Sequence, residues 1–129
     1  MKPLLDSHVW IWVHAHRERI SEDLKMQLET ATQVVISTAS IWEVAIKQAP
    51  GKLAIEGGME AMRRSVIDMG GEELPISADH ALRAAARPLR HRDPFDRMLV
   101  AQAEVEGMTL VTADELVRGY GGSVLWAGK

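Results

Sequence analysis

At 129 residues, the chain is the size of one domain and too short for two comfortable ones. Its 47% hydrophobic residues suffice for a core, and its 26% charged residues argue for a soluble, ordered chain. The net charge of −3 counts against a protein that coats nucleic acid non-specifically, but not against an enzyme that concentrates acids in a metal site.

No apolar run approaches the roughly 18 residues of a membrane span, and no signal peptide is expected ahead of Leu4. The absence of cysteine excludes a disulfide framework and a thiolate zinc site, and the cytoplasm is the expected home. Lys2–Leu5 reads as a short strand stopping at Asp6. Ser7–His16 is apolar almost all round and predicts a buried helix. Ser21 opens a second helix, with Glu22 and Asp23 in its first turn. Val34–Ile36 is β-branched and reads as a buried strand. Thr38–Gln48 returns to helical spacing and stops at Pro50-Gly51.

Lys52–Gly58 is expected as a loop and Met59–Met69 as a helix closed by Gly70-Gly71. Glu73–Ile76 contains Pro75, which places that strand near a sheet edge. Ser77 caps a helix to about Arg87, and Arg90-His91-Arg92 is a polar loop. Asp93 is placed as N-cap and Pro94 as first residue of a helix that ends near Glu106 at Gly107. Thr109–Thr112 is a strand, Asp114–Arg118 a short helix and Ser123–Trp126 a last strand. Such alternation predicts a mainly parallel sheet covered on both faces. Ligands of such sheets bind beyond the carboxyl ends of the strands.

Asp6 and Asp114 both follow strands and fall at that edge. Asp96 shares a helix face with Leu99, Val100 and Ala103, which predicts a partly desolvated carboxylate. Each acid also has a plainer explanation. Asp6, Asp93 and Asp114 each precede a helix and could act as caps. Glu43 could pair with Lys47 four residues on, and Asp96 with Arg92. If several of them meet, mutual repulsion raises their pKa values and a divalent cation relieves the conflict. All-oxygen ligands select a hard ion, Mg²⁺ or Mn²⁺.

Four stretches, taken together, resemble PIN-domain ribonucleases and in particular the VapC-type toxins of bacterial toxin–antitoxin pairs. They are Leu4-Leu5-Asp6-Ser7-His8, Ser40-Ile41-Trp42-Glu43-Val44-Ala45, the run from Arg92 through Asp93, Pro94, Phe95 and Asp96 to Ala103, and Leu110-Val111-Thr112-Ala113-Asp114. The resemblance covers nearly the whole chain, read as one domain over residues 1–129. It implies an α/β, PIN-like three-layer fold with about five mainly parallel strands between helices. It also implies a Mg²⁺-dependent endoribonuclease, with Mn²⁺ as a substitute, working as a homodimer with an antitoxin partner that blocks the site. On that resemblance Asp6, Glu43, Asp96 and Asp114 are the catalytic acids, and Asp6, Asp96 and Asp114 the metal ligands. Asp93 is an additional acid bearing on substrate or a second ion. Ser7, where many relatives carry Thr, is a candidate substrate contact along with Arg92, Arg97 and Thr112.

His14 and His16 do not share a helix face, which argues against a His–metal pair. Trp10, Trp12 and Trp42 read as core or interface residues. No glycine pair fits a phosphate-loop spacing. Two other functions compete. A phosphoaspartate signalling domain usually has paired acids after its first strand, whereas here only Asp6 follows it. A catalytically silent PIN-like binding module would keep the scaffold and bind a partner without cleaving RNA.

Overall fold

The computed structural model describes residues 1–31, 33–48, 55–86, 93–118 and 124–128. In chain order the elements are β1 (Pro3–Leu5), α1 (Ser7–Ala15), a single 3-10 turn at Arg17–Arg19, α2 (Glu22–Thr30), β2 (Val35–Ser37), α3 (Thr38–Gln48), α4 (Gly58–Asp68), β3 (Glu72–Leu74), α5 (Ala78–Ala86), α6 (Pro94–Glu106), β4 (Thr109–Thr112), α7 (Glu115–Arg118) and β5 (Val124–Trp126). Apart from the 3-10 turn, which the sequence reading did not include, these agree with it to within a residue or two. The expected loop over 52–58 is described only from Ile55 onward, and Arg87, Arg90, His91 and Arg92 lie outside the described residues.

The five strands form one parallel sheet in the order β3-β2-β1-β4-β5. Alternate strand residues face opposite ways and divide the core in two. Leu5, Ile36 and Val111 join Val9, Trp10, Ile11, Val13, Leu24, Met62 and Val66 in one layer. Leu4, Val35 and Leu110 join Leu99, Val100, Ala103 and Met108 in the other. Both faces of the sheet are therefore covered, as a parallel sheet requires. β3 lies at the sheet edge, as expected, although it ends at Leu74 and Pro75 falls just past it.

Helix ends follow local chemistry. Ser21 Oγ accepts from the Leu24 N–H at 3.1 Å and opens α2. Gly107, with φ of 67°, ends α6 in the left-handed conformation that glycine tolerates best. At the start of α5, the His80 N–H donates to Ser77 Oγ at 3.1 Å and the Ser77 N–H to His80 Nδ1 at 3.0 Å. This is a reciprocal cap with histidine in the place usually held by Glu or Gln. Because Nδ1 accepts, the ring proton sits on Nε2, which donates to Glu106 at 2.9 Å and ties α5 to α6. The Ser-x-x-His spacing was the available sequence signal for this buried clamp.

Trp10 is in the core, 1% exposed. Trp42 is not: it is 63% exposed and rests edge-on against Phe95, with ring centres 5.3 Å apart.

Gly71 admits the chain into β3 by close backbone approach. A Cβ there would lie 2.7 Å from the Val34 carbonyl oxygen and 2.9 Å from that of Val66. Backbone cannot swing aside as a side-chain end can, so Gly71→Ala should cost about 1–3 kcal/mol. Urea denaturation checks this, and an unchanged midpoint would contradict it.

Candidate functional site

β1 and β4 are neighbours in space but far apart in sequence, and the strand order reverses direction between them. In open α/β sheets that switch point is where a ligand crevice forms. Asp6 sits on the carboxyl end of β1. Its N–H donates to the Val111 carbonyl at 3.0 Å, continuing the β1–β4 pairing by one residue.

The Asp6 carboxylate then serves two elements. Oδ1 accepts from the Val9 N–H at 2.8 Å and caps α1. Oδ2 accepts from the Thr112 hydroxyl at 2.6 Å and from the Ala113 N–H at 3.2 Å. One side chain thus caps α1 and ties it to the end of β4. Asp6 is buried, 3% exposed. Burial pushes its carboxyl above the usual carboxylate value, while the Thr112, Val9 and Ala113 hydrogen bonds and the His8 charge pull the other way.

Thr112 is fully buried. Its hydroxyl donates to Asp6 and accepts from the Asp114 N–H at 3.0 Å. Expected as a substrate contact, it stands behind the acids and fixes one of them against the backbone of the other. Asp114 is half-buried and immediately precedes α7.

Glu43 comes from the buried face of α3. Its Oε1 accepts a hydrogen bond from the hydroxyl of Ser7, the first residue of α1. Its Oε2 pairs with Lys47 Nζ at 3.2 Å. The helix pair with Lys47 therefore exists, and so does the link to the wall beside Asp6. Ser7 is itself buried, 3% exposed, so its hydroxyl serves Glu43 rather than the surface. One turn earlier on the same face, the Ser40 hydroxyl is buried without a hydrogen-bond partner, a polar group that the sequence reading left without a role.

Asp96 is 9% exposed in the first turn of α6, as its place on the apolar stripe of that helix predicts. Asp93 caps the helix, its Oδ1 accepting from the Phe95 N–H at 2.9 Å. The contact of Phe95 with Trp42 sets the start of α6 beside the residue preceding Glu43. Arg97 points its guanidinium at α5, where Nη2 donates to the Ala84 carbonyl at 2.9 Å. Arg92 lies outside the described residues.

The chain thus links Asp6 to the backbone of Asp114, and the residue beside Asp6 to Glu43. Among the described residues, no three carboxylate or imidazole side chains stand close enough together to cage a metal ion. The donor chemistry still fits a hard ion. A carboxylate offers about four acceptor positions, and Val9, Thr112 and Ala113 occupy three of those on Asp6. Mg²⁺ is commonly held by only one or two carboxylates and keeps several waters. A buried carboxylate whose charge is costly is a position where a cation is stabilising.

The family model of the PIN domain matches residues 4–121. The chain belongs to the PIN-domain family. Over 122 residues this PIN domain is 31% identical to Ribonuclease VapC22 of Mycobacterium tuberculosis, covering 91% of the chain and 90% of that protein. Its fold is similar to the crystal structure of VapBC2 from Rickettsia felis bound to a DNA fragment from their promoter, at TM-score 0.69 and 16% identity, covering 98% of this chain and 99% of that one. It is also similar to DNA-bound VapBC from Salmonella typhimurium, at TM-score 0.70 and 18% identity, covering 98% of each. At those identities the two structures speak to the fold alone.

The raised pKa of Asp6 has a direct thermodynamic consequence. Above the usual carboxylate value of about 3.9, the unfolded chain has lost a proton that the folded chain still holds at Asp6. The stability this group contributes is therefore present at low pH and is lost as pH rises through its folded value. In metal-free buffer, the unfolding free energy of wild type minus that of Asp6→Asn should fall as pH is raised from about 4 toward neutrality. Denaturant titrations across that range measure it, and a difference that grows with pH would contradict the assignment.

Proposed function

We propose that this PIN domain is a Mg²⁺-dependent endoribonuclease and the toxin of a toxin–antitoxin pair. The observation that carries this reading is the buried Asp6 carboxylate at the β1/β4 switch point, hydrogen-bonded to Thr112 and adjoining Asp114. The similarity to a protein named as a VapC ribonuclease supports it.

In this reading Asp6, Asp96 and Asp114 would hold the ion, one or two of them directly and the rest through its waters, with Mn²⁺ as a substitute, and Glu43 would complete the catalytic acids. A hard divalent ion bound there supplies polarisation of a phosphodiester oxygen and a water of lowered pKa. The protein's own contribution is orientation. Thr112 and the Val9 and Ala113 amides fix both oxygens of Asp6 before substrate arrives. Ser7 fixes one oxygen of Glu43, and Lys47 pairs with the other. Asp93 sets the first turn of α6, and with it the backbone position of Asp96. Because Arg97 is turned to α5, Arg92 is the arginine this reading assigns to RNA phosphate.

An antitoxin partner belongs to the same proposal, supported by the toxin–antitoxin complexes among the structural relatives. So does a homodimer, for which the exposed Trp42 and Ile46, one turn apart on α3, offer an apolar face. Action on RNA in the cytoplasm is part of the same proposal; among the described residues no helix is long and apolar enough to cross a membrane. A catalytically silent binding module is the second reading. It is favoured by one observation, the lack of a preformed three-ligand cage among the described residues.

Purified protein with Mg²⁺ should cleave RNA and lose that activity in chelator. Asp6→Asn and Asp96→Asn should each lower the rate by about 10²- to 10³-fold while circular dichroism stays native. Equal activity in the variants would assign the cleavage to a contaminant or another site. Tight partner binding with neither Mg²⁺ binding nor cleavage would favour the silent module.

A further inference from the structure

Glu43 is 8% exposed, and each of its two oxygens has its own partner. Oε1 takes the hydroxyl of Ser7, the residue adjoining Asp6, and Oε2 takes the Lys47 ammonium at 3.2 Å. The lysine is different in kind from the hydroxyl. Its side chain is 40% exposed, on the last turn of α3, and can return its charge to water at little cost.

We propose that Lys47 is the resident cation of the ion-free site, neutralising Glu43 until a divalent ion arrives and competing with that ion for the Glu43 carboxylate. This rests on the metal-dependent reading above. The physical grounds are two. A nearly buried carboxylate needs compensation for its charge, and Lys47 supplies it on the open side. Ser7, the residue after Asp6, is bonded to Glu43, so an ion held at Asp6 and the Lys47 ammonium would draw on the same carboxylate. An ordinary helix ion pair four residues apart would be indifferent to the ion. A competing one would not.

The test is a double-substitution cycle on the full chain, read by calorimetric Mg²⁺ titration rather than by cleavage. Lys47→Met keeps the aliphatic stem and removes the charge; it should tighten Mg²⁺ binding about three- to tenfold. Lys47→Arg, which keeps the charge, should bind like wild type. In a Glu43→Gln background, Lys47→Met should change the affinity by less than about twofold, because the pair no longer exists. Unchanged or weaker binding by Lys47→Met would overturn the proposal. So would equal tightening in the Glu43→Gln background, which would reveal only a general charge effect. A wild-type chain that binds no Mg²⁺ would instead bring down the metal-dependent reading, and this inference with it.

Discussion

The hydrogen bond from Thr112 to Asp6 joins residues 106 positions apart and sets the geometry on which the candidate site depends. Beyond Leu5 and Thr112 the two central strands leave the sheet, and their paths must separate. One carboxylate spans that divergence, capping α1 with one oxygen and receiving the end of β4 with the other. A side chain restrained from three directions keeps one orientation, which is what a ligand for a small ion needs. The same restraint buries its charge, and burial raises the carboxyl's pKa against the pull of its hydrogen bonds. Structural order and chemical tension therefore arise from a single group.

The surrounding elements act on this centre through a few contacts. α3 brings Glu43 to Ser7, so that a second acid is registered against the residue following Asp6. α6 is started by Asp93 and Pro94 and located by the edge contact of Phe95 with Trp42. The reciprocal Ser77–His80 cap and the His80–Glu106 bond hold α5 against α6 on the far side. Arg97 adds a bond to the last turn of α5. The acids come from separate parts of the chain; Asp6, Asp96 and Asp114 are placed by a helix start or a strand end, where backbone direction is set locally, and Glu43 by the buried face of α3.

That locality explains what could be read from the sequence. Pro75 marked an edge strand, Asp93-Pro94 a helix start and Gly107 a helix stop, because each acts through its own backbone. The spacing of Asp96 with Leu99 and Val100 foretold its burial for the same reason. Less legible were contacts that depend on tertiary distance. Thr112 stood in the sequence as a candidate substrate contact, and its bond to Asp6 depends on tertiary distance. Glu43 had a helix partner in Lys47, and nothing in the spacing showed that its other oxygen would take the Ser7 hydroxyl. Trp42 has the hydrophobic bulk of a core residue, yet α3 buries the neighbouring Glu43 and turns the indole outward. His80 escaped notice because a histidine in a capping box carries no charge pattern.

The central claim is that Asp6 anchors a divalent ion at the β1/β4 edge. Anomalous diffraction from crystals grown with Mn²⁺ addresses it most directly. The account predicts an anomalous peak at about 2.1 Å from a carboxylate oxygen of Asp6, the distance of direct ligation by a small hard cation, which disappears in Asp6→Asn crystals. A peak elsewhere on the surface, or none at that edge at saturating Mn²⁺, would contradict it.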